Sequence, residues 1–198
     1  MADRIAKIVR KTNETDITVE MNLDGSGYTN NTGVGFFDHM LDHVARHGQI
    51  GLNVTCKGDY HIDDHHSVED VGIALGQALI EALGDKKGIE RYGFASVPMD
   101  EALARVSLDL SGRFALVLDI KPEGFQMPGT KIGTFDTQLV QEFLNAFAQA
   151  GKFNLHVEVP HGTNQHHIAE GIFKALGRAL RQAIEVTGDQ IPSTKGSL

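Results

Sequence analysis

Residues 65–82 read His65-His66-x-x-Glu69-x4-Ala74-Leu75-Gly76-x-Ala78-Leu79-x-x-Ala82, and residues 166–183 read His166-His167-x-x-Glu170-x4-Ala175-Leu176-Gly177-x-Ala179-Leu180-x-x-Ala183. Unrelated sequences would share roughly one identity over such a window, so the two stretches are copies of one segment. The copied positions include histidine and glutamate, which are common ligands of transition metals. The sequence therefore predicts two copies of a metal half-site.

The duplication extends over most of the chain. Three further matches occur in the same order: Leu23-Asp24-x-Ser26-Gly27 with Leu108-Asp109-x-Ser111-Gly112, Phe37-Asp38 with Phe135-Asp136, and Leu52-Asn53-Val54 with Phe153-Asn154-Leu155. We therefore expect an internally duplicated α/β protein that forms one compact unit. Its first half covers residues 1–93 and its second half residues 94–198, with the junction near residues 91–96.

Hydrophobic patterning predicts two strands, a helix, a strand and a helix in each half. Alternating or β-branched runs predict strands over residues 5–12, 17–23, 52–56, 104–110, 114–120 and 153–159. Apolar residues at helical spacing predict helices over residues 36–47, 68–83, 137–150 and 167–186.

Composition narrows the class of protein. The chain is 41% hydrophobic and 22% charged, which is ordinary for a globular protein. A net charge of −8 argues against a nucleic-acid partner, and no apolar run approaches the roughly 18 residues of a membrane span. The N-terminus has no signal-peptide core, and the single Cys56 fits a reducing compartment. We expect a cytoplasmic protein with neither membrane nor nucleic-acid partner.

Helical spacing determines how the repeated ligand residues can act. Residues four apart share one helix face, so His65 with Glu69, and His166 with Glu170, can each clamp one ion. The neighbouring His66 and His167 point about 100° away around the helix, so they must bind something other than the ion held by His65 and Glu69 or by His166 and Glu170. A single His-His pair at a helix start is more often solvent-facing or capping, but its recurrence in both copies favours ligation.

Two further histidines lie in different elements of the two copies. His39 aligns with Thr137, and His156 aligns with Thr55. Three imidazoles and one carboxylate per ion are too nitrogen-rich for calcium or magnesium and lack thiolate, which leaves manganese, iron, cobalt or zinc. Four protein ligands on a six-coordinate ion leave two positions open, which favours catalysis over a structural site.

Five motifs together resemble the imidazoleglycerol-phosphate dehydratase family of histidine biosynthesis. They are Phe37-Asp38-His39-Met40-Leu41-Asp42-His43, Asp63-Asp64-His65-His66-Ser67-Val68-Glu69-Asp70, Ser107-Leu108-Asp109-Leu110-Ser111-Gly112-Arg113, Asn164-Gln165-His166-His167-Ile168-Ala169-Glu170 and Ile191-Pro192-Ser193-Thr194-Lys195-Gly196. The resemblance runs from about Arg10 to the end of the chain, although relatives often carry glutamine where this chain has His43.

The resemblance implies a fold, an assembly and a metal. Each half would hold a four-stranded sheet with helices on one face, and the helices would pack between the two sheets. Subunits would form a homo-oligomer of 24 with manganese at the interfaces, two ions per active site. One ion would be held by His39, His66, His166 and Glu170, and the other by His65, Glu69, His156 and His167.

The resemblance also implies a reaction, the removal of water from D-erythro-imidazole glycerol phosphate to give imidazole acetol phosphate. The implied route passes through a dimanganese-bound imidazolate and a diazafulvene-type intermediate. Glu14 is the implied base, with His43 or His47 as the next residues to test. The implied contacts of this small phosphate substrate are Glu14, His43, His47, Arg91, Arg113, Lys174, Ser193, Thr194 and Lys195.

Two alternatives remain open on sequence. Paired His/Glu sites also activate water in binuclear metallohydrolases, which would release phosphate from a sugar phosphate. A non-catalytic metal-binding shell would use the same ligands only to join subunits. The Arg91, Arg113 and Lys195 set argues against the shell, because joining subunits needs no phosphate pocket.

Overall fold

In the computed structural model, which describes residues 4–125 and 129–198, the chain forms two similar halves. The first half contains β1 (Ile5–Lys11), β2 (Thr15–Asn22), β3 (Tyr28–Asn31), α1 (Gly35–Gly48), β4 (Gly51–Gly58) and α2 (His65–Leu83). The second half contains β5 (Tyr92–Met99), β6 (Ala102–Asp109), β7 (Ala115–Ile120), β8 (Lys131–Ile132), β9 (Phe135–Asp136), α3 (Gln138–Gly151), β10 (Asn154–His161) and α4 (Gln165–Ile184).

The two main sheets have the same topology. Their strand orders are β1-β2-β4-β3 and β5-β6-β10-β7, and only the last pair in each sheet is parallel. Buried and exposed residues alternate along β2, β4, β6 and β10, as expected for strands with one covered face. The predicted duplicated α/β fold with four-stranded sheets is confirmed.

The helices lie between the two sheets and pack across the halves. Helix α2 contacts β1 and β2 of its own sheet and α3 of the other half, while α4 contacts β5, β6 and α1. Each crossing occurs at a copied glycine. A Cβ on Gly76 would lie 2.7 Å from the Phe147 carbonyl oxygen, and a Cβ on Gly177 would lie 2.8 Å from that of Val44. The copied Ala-Leu-Gly pattern therefore encodes close helix packing.

Among the described residues, the patterning missed two strands of the main sheets, β3 and β5, and the short strands β8 and β9. Strand β3 is polar and short, so it carries no hydrophobic alternation, and β5 lies where the junction between the copies was expected. Because β5 begins at Tyr92 and pairs with β6, a boundary between residues 93 and 94 falls inside this strand. A two-stranded β8–β9 ribbon precedes α3.

The structure corrects part of the repeat alignment. Phe37 lies inside α1 whereas Phe135 lies in β9, so these residues are not equivalent. Helices α1 and α3 both end in a left-handed residue, Gln49 and Lys152, and the next strand starts two residues later in each case. Alignment on these caps pairs His39 with Glu142 instead of Thr137, and His156 with Asn53 instead of Thr55. Each half still adds one histidine, on a different element.

Within residues 4–125 and 129–198, none of the helices combines the length and the apolar character that a bilayer crossing requires.

Candidate metal and substrate site

Helices α1 and α4 bring four predicted site residues together around the carboxylate of a fifth, Glu170. Glu170 Oε2 lies 2.9 Å from His166 Nε2, 3.4 Å from His39 Nε2 and 3.5 Å from His43 Nε2. Glu170 Oε1 lies 2.5 Å from Lys174 Nζ. The ligand atoms of His39, His166 and Glu170 all lie within 4.8 Å of one another, which is close enough to share one ion.

The charges in this cluster are strongly coupled. Burial raises the pKa of Glu170, but hydrogen bonds from Lys174 and His166 outweigh it and lower that pKa to about 2. Burial lowers the pKa of His43 to about 4, against the opposing charge of Glu170. Burial also lowers the pKa of His47, whose ring stacks on His43 with centroids 5.7 Å apart. The Glu170 carboxylate is therefore ionised, and His43 and His47 are neutral, at neutral pH.

The copied histidine pairs have the geometry that helical spacing predicts. His65 Nε2 lies 3.7 Å from Glu69 Oε2, in the same i, i+4 relation as His166 and Glu170. The rings of His65 and His66 are inclined by 84° with centroids 6.3 Å apart, and those of His166 and His167 by 80° at 6.3 Å. The second histidine of each pair therefore faces a different neighbourhood from the first.

Those second histidines each meet acidic side chains. His66 Nδ1 lies 3.0 Å from Asp59 Oδ2 and 3.9 Å from Glu14 Oε2. His167 Nδ1 lies 2.7 Å from Glu101 Oε2, and His167 Nε2 lies 3.7 Å from Asp100 Oδ2. The hydrogen bonds raise the pKa of both histidines and lower the pKa of Asp59 and Glu101.

The eight predicted ligands do not meet at one place within a single chain. Among the described residues, His39 clusters with His166 and Glu170, whereas His66 clusters with Glu14 and Asp59. His156 lies on the exposed face of β10, in the row Phe94, Ser107, His156, Val117 across the second sheet. Grouping all eight ligands would therefore require more than one chain.

Arg91 is already engaged by the protein. It adopts a left-handed backbone conformation with φ of 72° and donates to both carboxylate oxygens of Asp109, at 2.7 and 3.1 Å. The Asp109 hydrogen bond raises the Arg91 pKa, so the guanidinium stays charged. Its Nη1 donates to the Pro192 carbonyl oxygen at 2.8 Å. Arg91 thus ties the segment that carries Ser193, Thr194 and Lys195 to the end of β6.

Other predicted phosphate contacts belong to the two segments that Arg91 joins, the end of β6 and the C-terminal segment. Arg113 is exposed just after β6, and its backbone N–H donates to Ser111 Oγ at 3.4 Å. The Ser193 hydroxyl accepts from the Lys195 backbone N–H at 3.2 Å. Lys174 stands apart from this group because it pairs with Glu170 on α4.

Sequence reasoning missed four acidic residues that contact predicted site residues: Asp59, Asp100, Glu101 and Asp109. Asp109 belongs to the copied Leu108-Asp109-x-Ser111-Gly112 stretch, whereas Asp59 and Asp100 carry no spacing signal that separates them from other acidic residues. Glu101 had one, because it is the last residue before β6 just as Glu14 is the last residue before β2.

The family model for imidazoleglycerol-phosphate dehydratase matches residues 32–180, which contain both histidine pairs. The chain belongs to the imidazoleglycerol-phosphate dehydratase family. A dehydratase of that name from Jannaschia sp. (strain CCS1) is 62% identical over 98% of this chain and 100% of its own length. One from Ruegeria pomeroyi is 60% identical over the same shares.

Two solved structures of imidazoleglycerol-phosphate dehydratase have the same fold. The Staphylococcus aureus enzyme is 40% identical with a TM-score of 0.80, covering 92% of this chain and 99% of its own. The Pyrococcus furiosus enzyme, solved in complex with (S)-C348, is 35% identical with a TM-score of 0.82, covering 96% and 100%. The chain is accordingly an imidazoleglycerol-phosphate dehydratase, a lyase of histidine biosynthesis, as the motifs indicated.

Proposed function

We propose that this dehydratase converts D-erythro-imidazole glycerol phosphate to imidazole acetol phosphate at a site that holds two manganese ions. The observation that carries the proposal is the convergence of His39, His166 and Glu170 beside Lys174 in a chain of this family. We further propose that the substrate loses water through a diazafulvene-type intermediate, and that the reaction takes place in the cytoplasm.

The donor chemistry fits manganese. The α1–α4 cluster offers imidazole nitrogen and carboxylate oxygen without thiolate, a set suited to first-row divalent ions. His39, His66, His166 and Glu170 would hold one ion, and His65, Glu69, His156 and His167 the other. When bound, the ions would polarise the substrate's imidazole and hydroxyl groups and thereby make a weakly acidic carbon-bound proton removable.

Completion of these sites by neighbouring subunits is part of the proposal. The side chains of His39, His65, His166 and Glu69 are between 40% and 47% exposed, so ligands from another chain can reach them. We propose a homo-oligomer, of 24 subunits by the family resemblance, in which the ligands of different chains meet at shared ions.

The chain's own residues would bind the phosphate and move the proton. Glu14 ends the β1–β2 turn, its side chain is 54% exposed, and its carboxylate lies beside His66. It is our candidate base for the carbon-bound proton. Arg91, Arg113, Ser193, Thr194 and Lys195 would receive the phosphate, with Lys174, His43 and His47 closer to the imidazole end. Lys174 would also hold Glu170 ionised, as its 2.5 Å contact indicates.

Manganese titration of chelated enzyme tests this function. Imidazole acetol phosphate formation should be abolished by chelation and restored by manganese. In Glu14→Gln it should be about a hundredfold slower or more, even when the metal content is normal. A parallel assay for inorganic phosphate should detect no phosphate release. Phosphate release without the dehydrated product would support a metallohydrolase instead, and metal binding with neither product would support a non-catalytic shell.

A further inference from the structure

The duplication places one glutamate at the same point of each half. Glu14 is the last residue before β2 and Glu101 the last residue before β6, and β2 and β6 hold equivalent places in the two sheets. Each glutamate faces the second histidine of its half's pair, but at different distances. Glu101 lies 2.7 Å from His167 Nδ1, whereas Glu14 lies 3.9 Å from His66 Nδ1, beyond hydrogen-bond reach.

Glu101 is fixed at both carboxylate oxygens. Its Oε1 accepts from the backbone N–H groups of Thr163 and Asn164, at 3.0 and 2.8 Å, and from the Thr163 hydroxyl at 3.2 Å. Its Oε2 is left for His167 Nδ1. Because an ionised carboxylate only accepts hydrogen bonds, His167 Nδ1 must carry the proton. The lone pair of the neutral ring then lies on Nε2, and because Asp100 Oδ2 is 3.7 Å from it, beyond hydrogen-bond reach, Nε2 is available to a ligand.

In the first half a different residue fills this role. Asp59 lies in the loop between β4 and α2, and its Oδ2 accepts a hydrogen bond from His66 Nδ1 at 3.0 Å. The corresponding loop of the second half, between β10 and α4, reads Gly162-Thr163-Asn164 and offers no carboxylate. Both second histidines are therefore held in the same tautomer, one by a hairpin glutamate and one by a loop aspartate. Since Asp59 accepts the His66 Nδ1 hydrogen bond, the Glu14 carboxylate is not needed to orient this histidine.

We propose that Glu101 is a positioning residue that sets the tautomer and direction of His167 for metal binding, and that Asp59 does the same for His66. The proposal rests on the proposed function, which makes these histidines metal ligands. A carboxylate on the non-ligating nitrogen fixes the ring and increases its basicity, and loss of such a partner commonly weakens metal binding about ten- to a hundred-fold. The duplicated glutamates have diverged, with Glu101 positioning a ligand and Glu14 available for proton transfer.

Glu101→Gln separates positioning from simple loop capping. The Thr163 and Asn164 N–H groups require an acceptor, so the amide oxygen takes the place of Oε1 and the amide NH₂ faces His167 Nδ1. The loop contacts survive, but Nδ1 must now accept, which moves the ring proton to Nε2 and blocks the ligating nitrogen. Glu14→Gln is the matched control, because it makes the same change at the equivalent hairpin position without touching a histidine proton.

The experiment measures manganese affinity of the full chain and the imidazole ¹⁵N resonances of the chelated protein, at a pH that keeps the rings neutral. We expect Glu101→Gln to bind manganese about ten- to a hundred-fold more weakly and to protonate His167 Nε2. Glu14→Gln should bind manganese like the parent. Thermal unfolding of both chelated variants reports any loss of folding, and Glu101→Asp gives a second variant that keeps an acceptor.

The outcomes distinguish this inference from the proposed function. A parent protein that binds no manganese would overturn the proposed function before any variant is compared. A parent that binds two ions, together with a Glu101→Gln protein of unchanged affinity and unchanged His167 tautomer, would overturn the positioning role alone. Weaker binding in Glu101→Gln with partial recovery in Glu101→Asp is the result that the inference requires.

Discussion

The Thr15 hydroxyl donates a 2.6 Å hydrogen bond to Asp70 Oδ2, and this buried contact ties the turn that carries Glu14 to helix α2. Asp70 also accepts from Arg10 Nη2 at 2.7 Å. The turn is closed on its other side by Thr12, whose Oγ1 accepts from the backbone N–H groups of Glu14 and Thr15. Glu14, the candidate base, therefore lies on a turn that hydrogen bonds hold in place, next to the buried residue Thr15.

Thr15→Val removes this anchor while keeping the shape of the side chain. Loss of a buried hydrogen bond to a charged group should lower the free energy of unfolding by about 1.5–3 kcal/mol. Because Glu14 then loses its support, kcat of the folded enzyme should also fall. Thr18→Val, on the partly exposed face of the same strand, is the control and should change neither quantity. Unchanged kcat in Thr15→Val would show that the anchor does not position Glu14.

Gly177→Ala and Gly76→Ala test the two helix crossings. Both changes insert a methyl group against backbone atoms of the crossing helix and should destabilise the protein by about 1–3 kcal/mol. Both helices of the α1–α4 crossing carry proposed ligands, whereas at the α2–α3 crossing only α2 does, so Gly177→Ala should weaken manganese binding more than Gly76→Ala. Gly35→Ala is the control, because a Cβ there meets nothing within 4 Å. Equal metal affinity in both variants would contradict this division.

Asp109→Asn tests the indirect support of phosphate binding. The amide cannot hold the Arg91 guanidinium through two charged hydrogen bonds, so Arg91 and the segment beyond Pro192 should lose their fixed position. We expect KM to rise about tenfold with kcat changed little. Asp119→Asn, which removes an exposed pairing with Lys121, should leave both constants unchanged. A fall in kcat at constant KM would indicate a role outside phosphate binding.

The Arg4–Asp24 pair should make a small part of the stability depend on pH. Arg4 Nε donates to Asp24 Oδ2 at 2.8 Å, and this hydrogen bond lowers the Asp24 pKa from its ordinary value of 3.8. A lowered carboxyl pKa stabilises the fold above the unfolded value, and the contribution disappears as the pH falls through the folded value. The melting temperatures of chelated parent and Asp24→Asn should therefore differ near neutral pH and converge in strong acid. A constant difference would show that the pair contributes no charge-dependent stability.

Most of the fold could be predicted from the sequence because the signals are local and periodic. The copied His65–Ala82 and His166–Ala183 stretches became α2 and α4, and alternating apolar residues predicted β2, β6 and β10. Strand β3 could not be predicted, since Tyr28-Thr29-Asn30-Asn31 is polar and is ordered by its parallel pairing with β4. Such pairing depends on the whole sheet and leaves no pattern in four residues.

The same distinction applies to the site: contacts within one helix could be predicted from the sequence, and contacts between elements could not. Helical spacing was enough to pair His65 with Glu69 and His166 with Glu170, because both partners lie on one helix. It could not bring Glu101 to His167 or Asp109 to Arg91, since these contacts join elements that meet only through sheet register and helix packing. The roles of all eight predicted ligands stay predictions.

A complementation assay between His166→Ala and Glu14→Gln tests the sharing of sites between chains most directly. Each variant alone should be inactive, the first for lack of an α4 ligand and the second for lack of a base. The two proteins are mixed after chelation, reassembled with manganese and assayed for dehydration. If the α1–α4 cluster of one chain works with the Glu14 turn of another, random mixing should restore about a quarter of the parental activity. Activity that stays at the level of the separate variants, in oligomers shown by mass to contain both chains, would contradict the account.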